Sequence, residues 1–161
     1  MKVAAIAAIA FLLVVAAAFR IAPSRGVETR IEIAAPPARV WAVLADIKNY
    51  DKWNPGMRLI GDLSPGATIE NIEGAGEDQM IFWPTVLVVR PDQELRWLGH
   101  FKVPGLFDAE HYFLLRPTQN GTELTQGEHF HGIALWFYDV NQVAPDFAKM
   151  NESLKARAER P

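Results

Sequence analysis

His111, Gln126 and Glu128 are the side chains of this sequence most suited to chemistry, because strand-like alternation sets all three among apolar neighbours. Over 107–117 the apolar set is Phe107, Ala109, Phe113 and Leu115, and His111 shares their face. Over 121–133 the apolar set is Leu124 and Phe130, which carries Gln126 and Glu128 inward with it. A polar group buried without a partner costs a few kcal/mol, so these three must bond to one another, to water or to a ligand. A Glu128–His111 pair would meet that demand, and a carboxylate beside an imidazole is also a working acid/base unit. A satisfied internal hydrogen bond, or the orientation of a ligand, accounts for the same residues without proton transfer.

Other routes to chemistry are thinner. His129 and His131 stand two apart on the outward face, with His100 on another segment, but zinc sites need a more committed ligand set, and solvated surface histidines are expected. The chain has no cysteine, which excludes disulfides, thiolate metal sites and cysteine nucleophiles. It carries no Gly-rich phosphate loop, serine nucleophile elbow or His-Glu-x-x-His helix, and Gly74-Ala75-Gly76 lacks the strand-to-helix setting of a dinucleotide loop. Neither a metal nor a cofactor is expected. With 22% charged residues, a net charge of −3 and no long run of one sign, the chain is also not expected to bind nucleic acid.

The elements that hold these residues follow from periodicity. Residues 27–33 alternate with Val27, Ile31 and Ile33 on one side, predicting a half-buried strand. Pro36-Pro37 suits a helix start, and Val40, Val43, Leu44 and Ile47 recur at helical spacing, with 49–55 a second short helix and its exit. Six strand-like segments follow, 57–62, 68–73, 79–89, 95–101, 107–117 and 121–133, joined by short Pro- and Gly-containing turns. On 95–101 the apolar set Leu95, Trp97 and Phe101 is expected to face inward, with Arg96 and His100 outward. Val140, Val143, Phe147, Met150, Leu154 and Ala158 then define a long amphipathic C-terminal helix, begun or kinked at Pro145. The expected fold is α+β, a seven-stranded curled antiparallel sheet wrapped around the long C-terminal helix, with two short helices after the first strand.

Residues 3–19 are uninterruptedly apolar, between Lys2 and Arg20. That is the short end of the roughly 20 residues that span a bilayer, and it predicts a single-pass membrane anchor. Ala16-Ala17-Ala18 allows the alternative of a signal peptide cleaved near Ala18. For an anchor, Arg20, Arg25 and Arg30 outweigh Lys2 and would keep the domain cytoplasmic, whereas a signal would export it. The expected division is 1–26, anchor or signal and linker, and 27–161, the folded domain, whose length suits one core.

This order, together with Ala35-Pro36-Pro37-Ala38-Arg39-Val40-Trp41, Asn49-Tyr50-Asp51-Lys52-Trp53-Asn54-Pro55 and Gly121-Thr122-Glu123-Leu124-Thr125, resembles the SRPBCC superfamily in its bacterial polyketide cyclase/dehydrase-like branch. Its helix-grip fold is shared by START domains and the birch-pollen allergen Bet v 1, and the resemblance covers residues 27–161. It implies a cavity between sheet and long helix that receives a small hydrophobic ligand. Trp53 would then lie at the mouth, and Trp97, Phe107, Phe113, Phe130, Phe147 and Met150 would line the cavity with His111, Gln126 and Glu128. A fold of this kind does not imply a reaction.

Three functions are compatible. The first is a membrane-associated protein binding a lipid, isoprenoid or aromatic, polyketide-like molecule. The second is a cyclase, dehydratase or hydrolase using Glu128 and His111 as acid and base. The third is an accessory module that binds a protein partner around a packed core, which a cavity below about 300 Å³ would favour. The ligand's identity and the oligomeric state are not legible at this level.

Overall fold

The computed structural model describes residues 2–160 except Pro55, Ala75, Glu77 and Asp78. Two of the turn residues singled out above, Pro55 and Ala75, therefore lie outside the described residues. The apolar N-terminal stretch forms helix α1 (Lys2–Arg20), which buries no residue and leaves its first three turns wholly exposed. Its last turn meets the domain, where the Phe19 ring comes within 2.9 Å of the position a Cβ on Gly105 would take.

Strand β1 (Ser24–Ile33) begins three residues before the alternation becomes visible, because Ser24, Arg25 and Gly26 pair with His131, Phe130 and His129. Pro37 then opens helix α2 (Pro37–Leu44), and a 3₁₀ segment (Ile47–Lys52) follows. Both are held by apolar residues at helical spacing, Val40, Val43, Leu44 and Ile47, all buried.

The class is the expected one, α+β with a curled antiparallel sheet and a long C-terminal helix, but among the described residues eight strands replace seven. They are β1, β2 (Met57–Ile60), β3 (Glu70–Glu73), β4 (Met80–Phe82), β5 (Thr85–Arg90), β6 (Glu94–His100), β7 (Asp108–Thr118) and β8 (Gly121–His131). They form a five-stranded sheet in the order β1-β8-β7-β6-β5 and a three-stranded sheet in the order β2-β3-β4. The segment 79–89 splits at Pro84, which has no N–H to donate to a ladder. Its carbonyl instead accepts from Ile69 N (3.0 Å), while Val86 N donates to Ala67 O (2.8 Å) and Thr68 bridges Thr85. These bonds join the two sheets into one curved surface.

Helix α3 (Ala144–Ala158) starts with Pro145 in its first turn, so that proline initiates the helix and does not kink it. It lies against β1, β8 and α2. The strand expected over 121–133 ends at His131, because Gly132 (φ 141) turns the chain into a 3₁₀ segment, Ile133–Trp136. A Cβ on Gly132 would sit 2.4 Å from Leu106 O. That closeness lets Ile133 N and Ala134 N donate to the carbonyls of Gly105 (3.1 Å) and Leu106 (3.0 Å), tying the post-β8 loop to the β6–β7 loop. Gly132→Ala should therefore lower stability by about 1–3 kcal/mol through backbone strain and collision. Thermal unfolding of the two proteins measures this directly.

Two apolar clusters build the core. The larger packs Ile33, Leu44, Tyr50, Leu95, Trp97, Phe113, Leu124 and Leu154 between sheet, short helices and α3. The smaller packs Val27, Phe130, Leu135, Val140 and Phe147, with Phe107 and Tyr138 against it.

Candidate functional site

Between these clusters lies a cavity of about 660 Å³, lined by residues of both. It is large enough for a small organic molecule, since ligand sites occupy roughly 300–1,000 Å³. A wholly packed core does not leave such a space.

One row of the five-stranded sheet supplies its polar wall. Trp97 on β6, His111 on β7 and Glu128 on β8 are direct cross-strand partners, so all three project from the same face. The His111 ring stacks on Trp97 with centroids 4.9 Å apart and planes 8° from parallel. It also meets Phe113 and, edge on, Phe147 of α3. This packing fixes where the ring nitrogens point. Gln126 Nε2 donates to His111 Nε2 (3.2 Å) and to Met150 Sδ (3.3 Å), which selects the tautomer carrying its proton on Nδ1. His111 Nδ1 lies 3.8 Å from Glu128 Oε1, beyond hydrogen-bond reach. The expected Glu128–His111 pair is thus a close approach, and Gln126 is the histidine's bonded partner. Aromatic stacking on Trp97 holds the imidazole short of the carboxylate.

The three-stranded sheet adds a second polar group that the alternation argument missed. Asn71 and Glu73 of β3, with Asn54 from the 3₁₀ exit, line the same cavity. Asn71 Nδ2 donates to Glu73 Oε1 at 2.7 Å. Burial pushes the Glu73 carboxyl above its ordinary value, the nearby Glu128 adds to the rise, and the Asn71 amide and His111 oppose it. Taking the more apolar set of each strand as inward fails on β3, because Ile72 between the two polar residues is itself buried. Both faces of this short strand are covered, so apolarity does not reveal which one meets the cavity.

Three buried atoms on this wall, Asn54 Nδ2, Asn71 Oδ1 and Gln126 Oε1, have no hydrogen-bond partner among the described residues. Orphaned buried polar atoms are uncommon, and these three belong to residues that line one cavity. The site can therefore bind an apolar body and receive a polar end.

The folded chain keeps a proton on Glu73 at pH values where the unfolded chain has lost it, so this group's contribution to stability falls as pH rises above about 4.5. Glu73→Gln retains an acceptor for Asn71 and removes that penalty. The variant should unfold at a higher temperature than wild type at pH 7, with the difference vanishing near pH 4, as thermal melts across that range will read.

Of the residues expected at the site, Trp97, Phe107, His111, Gln126, Glu128, Phe130, Phe147 and Met150 line the cavity. Trp53 and Phe113 do not. Trp53 packs edge-on against Tyr50 in the larger cluster, with centroids 4.7 Å apart, and Phe113 is fully buried behind Trp97 and His111. Burial pushes the Tyr50 phenol up, in keeping with a hydroxyl that has no partner among the described residues. Phe101, expected to face inward, stands at the rim and is 48% exposed, because β6 ends at His100. His129 and His131 lie on the outer face, where His129 stacks on Tyr112 and His131 Nδ1 bonds the Ser24 hydroxyl (3.0 Å). His100 Nδ1 meets Asp108 Oδ1 at 2.7 Å.

Comparison with known proteins agrees with this architecture. A structure from Chromobacterium violaceum superposes with a TM-score of 0.69 at 19% identity, covering 84% of this chain and 99% of that one. One from Mesorhizobium loti gives 0.64 at 20%, covering 84% and 98%. Norcoclaurine synthase from Thalictrum flavum, solved with dopamine and hydroxybenzaldehyde, gives 0.66 at 14%, covering 86% and 88%. At these identities the likeness is one of fold. No curated protein matches by sequence. The model of the family described as polyketide cyclase / dehydrase and lipid transport matches residues 24–159, and with nearly the whole folded domain matched, the chain belongs to that family within the SRPBCC superfamily.

Proposed function

We propose that the protein is a membrane-associated binding protein that holds one small hydrophobic molecule, a lipid, isoprenoid or aromatic, polyketide-like compound, in the cavity between sheet and α3. The observation that carries this reading is the cavity of about 660 Å³ whose mostly apolar lining includes Asn54, Asn71 and Gln126, each of which holds an unpartnered buried polar atom. An amphipathic ligand would bury its apolar body against Trp97, Phe107, Phe130 and Phe147 and give its polar end to Asn54, Asn71 and Gln126. The family's description includes lipid transport, which supports this ligand class. Protein purified in mild detergent should carry one apolar molecule in native mass spectra; repeated empty preparations, with no binding to a lipid panel, would count against the reading.

Residues 1–26 are read as the membrane anchor and linker, and residues from 27 onward as the ligand-binding domain. The 19-residue helix α1 is apolar, uncharged between its ends and buried nowhere, which supports a membrane segment. Cleavage near Ala18 is the competing fate, and the intact mass of the membrane-fraction protein separates the two.

A second reading has one arrangement in its favour: Glu73, whose carboxyl burial pushes above its ordinary value, lines the same cavity as Glu128 and His111. In a dehydratase or cyclase, a protonated Glu73 would give its proton to a departing hydroxyl, which leaves as water. Glu128 or His111 would take the proton from the adjacent carbon. If Glu128→Gln and His111→Ala leave product levels in cells unchanged while the domain stays folded, this reading fails.

A further inference from the structure

At and beyond the cavity rim, large apolar side chains are exposed in two adjoining loops. Phe101 (48% exposed) and Val103 (50%) lie between β6 and β7, and Trp136 (46%) and Phe137 (92%) follow β8. The Gly105 and Leu106 carbonyls bond the two loops together, and the Asp108 carboxylate accepts from Gly105 N at 2.9 Å, so these residues stand on a braced platform. Four exposed large apolar groups on tethered loops are more than scattered surface hydrophobes.

Two further observations say what covers them. The last turn of α1 packs on this same platform through Phe19 and Gly105, while its earlier turns project from the domain. A bilayer entered by α1 thus begins beside these loops. Phe101, Phe107 and Tyr138 also line the cavity, and the exposed Phe101 places these loops along one edge of its rim, with Met80, Asp146 and Lys149 along another. Lys102, with Nζ 5.3 Å from the Phe101 ring centroid, and Arg20 at the end of α1 add cations of the kind that accompany aromatic residues at lipid interfaces.

We infer that Phe101, Val103, Trp136 and Phe137 form a docking face that enters the interface of a phospholipid bilayer and turns the cavity mouth toward it. The ligand then passes between membrane and cavity without crossing water. This rests on the reading of α1 as a retained membrane segment.

The natural absence of cysteine makes the test specific. Full-length protein carrying Val103→Cys or Phe137→Cys, labelled with an environment-sensitive fluorophore, is reconstituted in vesicles of phosphatidylcholine and phosphatidylglycerol containing a lipid-borne quencher. Asn120→Cys, at the far turn of the β7–β8 hairpin, is the reference. Labels at 103 and 137 should shift to the blue and be quenched several-fold more than the label at 120. Equal quenching at the three sites overturns the proposal. A second measurement follows uptake of a fluorescent phospholipid from the vesicles, which Phe101→Asp combined with Phe137→Asp should slow by about tenfold. Undiminished uptake by that variant likewise overturns the docking face. If no variant or wild type takes up lipid while the two labels stay quenched, the docking face stands and the lipid-binding reading of the cavity fails.

Discussion

Replacing Ala109 with tryptophan should cut the apolar molecule bound per protein by tenfold or more and leave the domain folded. Ala109 lies on β7 between Gly99 of β6 and Phe130 of β8, and all three line the cavity. An indole at this position occupies space that a ligand would need. Overpacking an ordinary core costs about 1–3 kcal/mol. Here the added volume enters a cavity of about 660 Å³, so the melting temperature should move by only a few degrees. Ligand content by mass spectrometry and thermal unfolding of the same preparations give the two readouts. Loss of ligand with loss of fold would reveal only that the site cannot take the bulk. Alanine to leucine at the same position is the milder substitution that separates filling from misfolding.

Phe113→Ala is expected to be the most damaging single change to stability, by about 3–5 kcal/mol. The ring is fully buried and packs on Trp97 and on His111, at centroid distances of 5.7 and 4.9 Å. Removing it opens a void behind the very pair that forms the polar wall. Phe107→Ala should cost about half as much or less, because one side of that ring already faces the cavity and forfeits fewer contacts. Urea unfolding with an unchanged m-value would express both as shifts in midpoint. The contrast between the two phenylalanines marks which belongs to the core and which to the site.

Much of this arrangement was legible in the chain because the long strands alternate cleanly. On β7 and β8 the apolar residues Phe113, Leu115, Leu124 and Phe130 share one face, so His111, Gln126 and Glu128 could be assigned to the inner face from pattern alone, even though Tyr112 and Thr125 on the outer face are also buried. The same logic separated His129 and His131 to the outside. It broke down on β3, where Asn71, Ile72 and Glu73 face covered surroundings on both sides, and half of the polar wall went unseen. Pattern also cannot rank partners. His111 and Glu128 are opposite one another in register, yet stacking on Trp97 turns the imidazole to Gln126, a choice made by tertiary packing. Trp53 illustrates a different limit, since a large aromatic beside a polar exit can serve core or mouth, and here Tyr50 and the short helices enclose it. The break at Pro84 was visible as a residue, but its effect, converting one strand into two sheets' meeting point, depends on Ile69 arriving to use the proline carbonyl.

The space between sheet and α3 is proposed as a ligand site with a polar end. Native mass spectrometry of the full chain, released from detergent alongside Ala109→Trp, tests it most directly. Wild type should be found at a mass raised by one apolar molecule, and the variant at its bare mass. Wild type and variant both at bare mass, after purification from membranes and exposure to lipids, isoprenoids and aromatic polyketides, would contradict it.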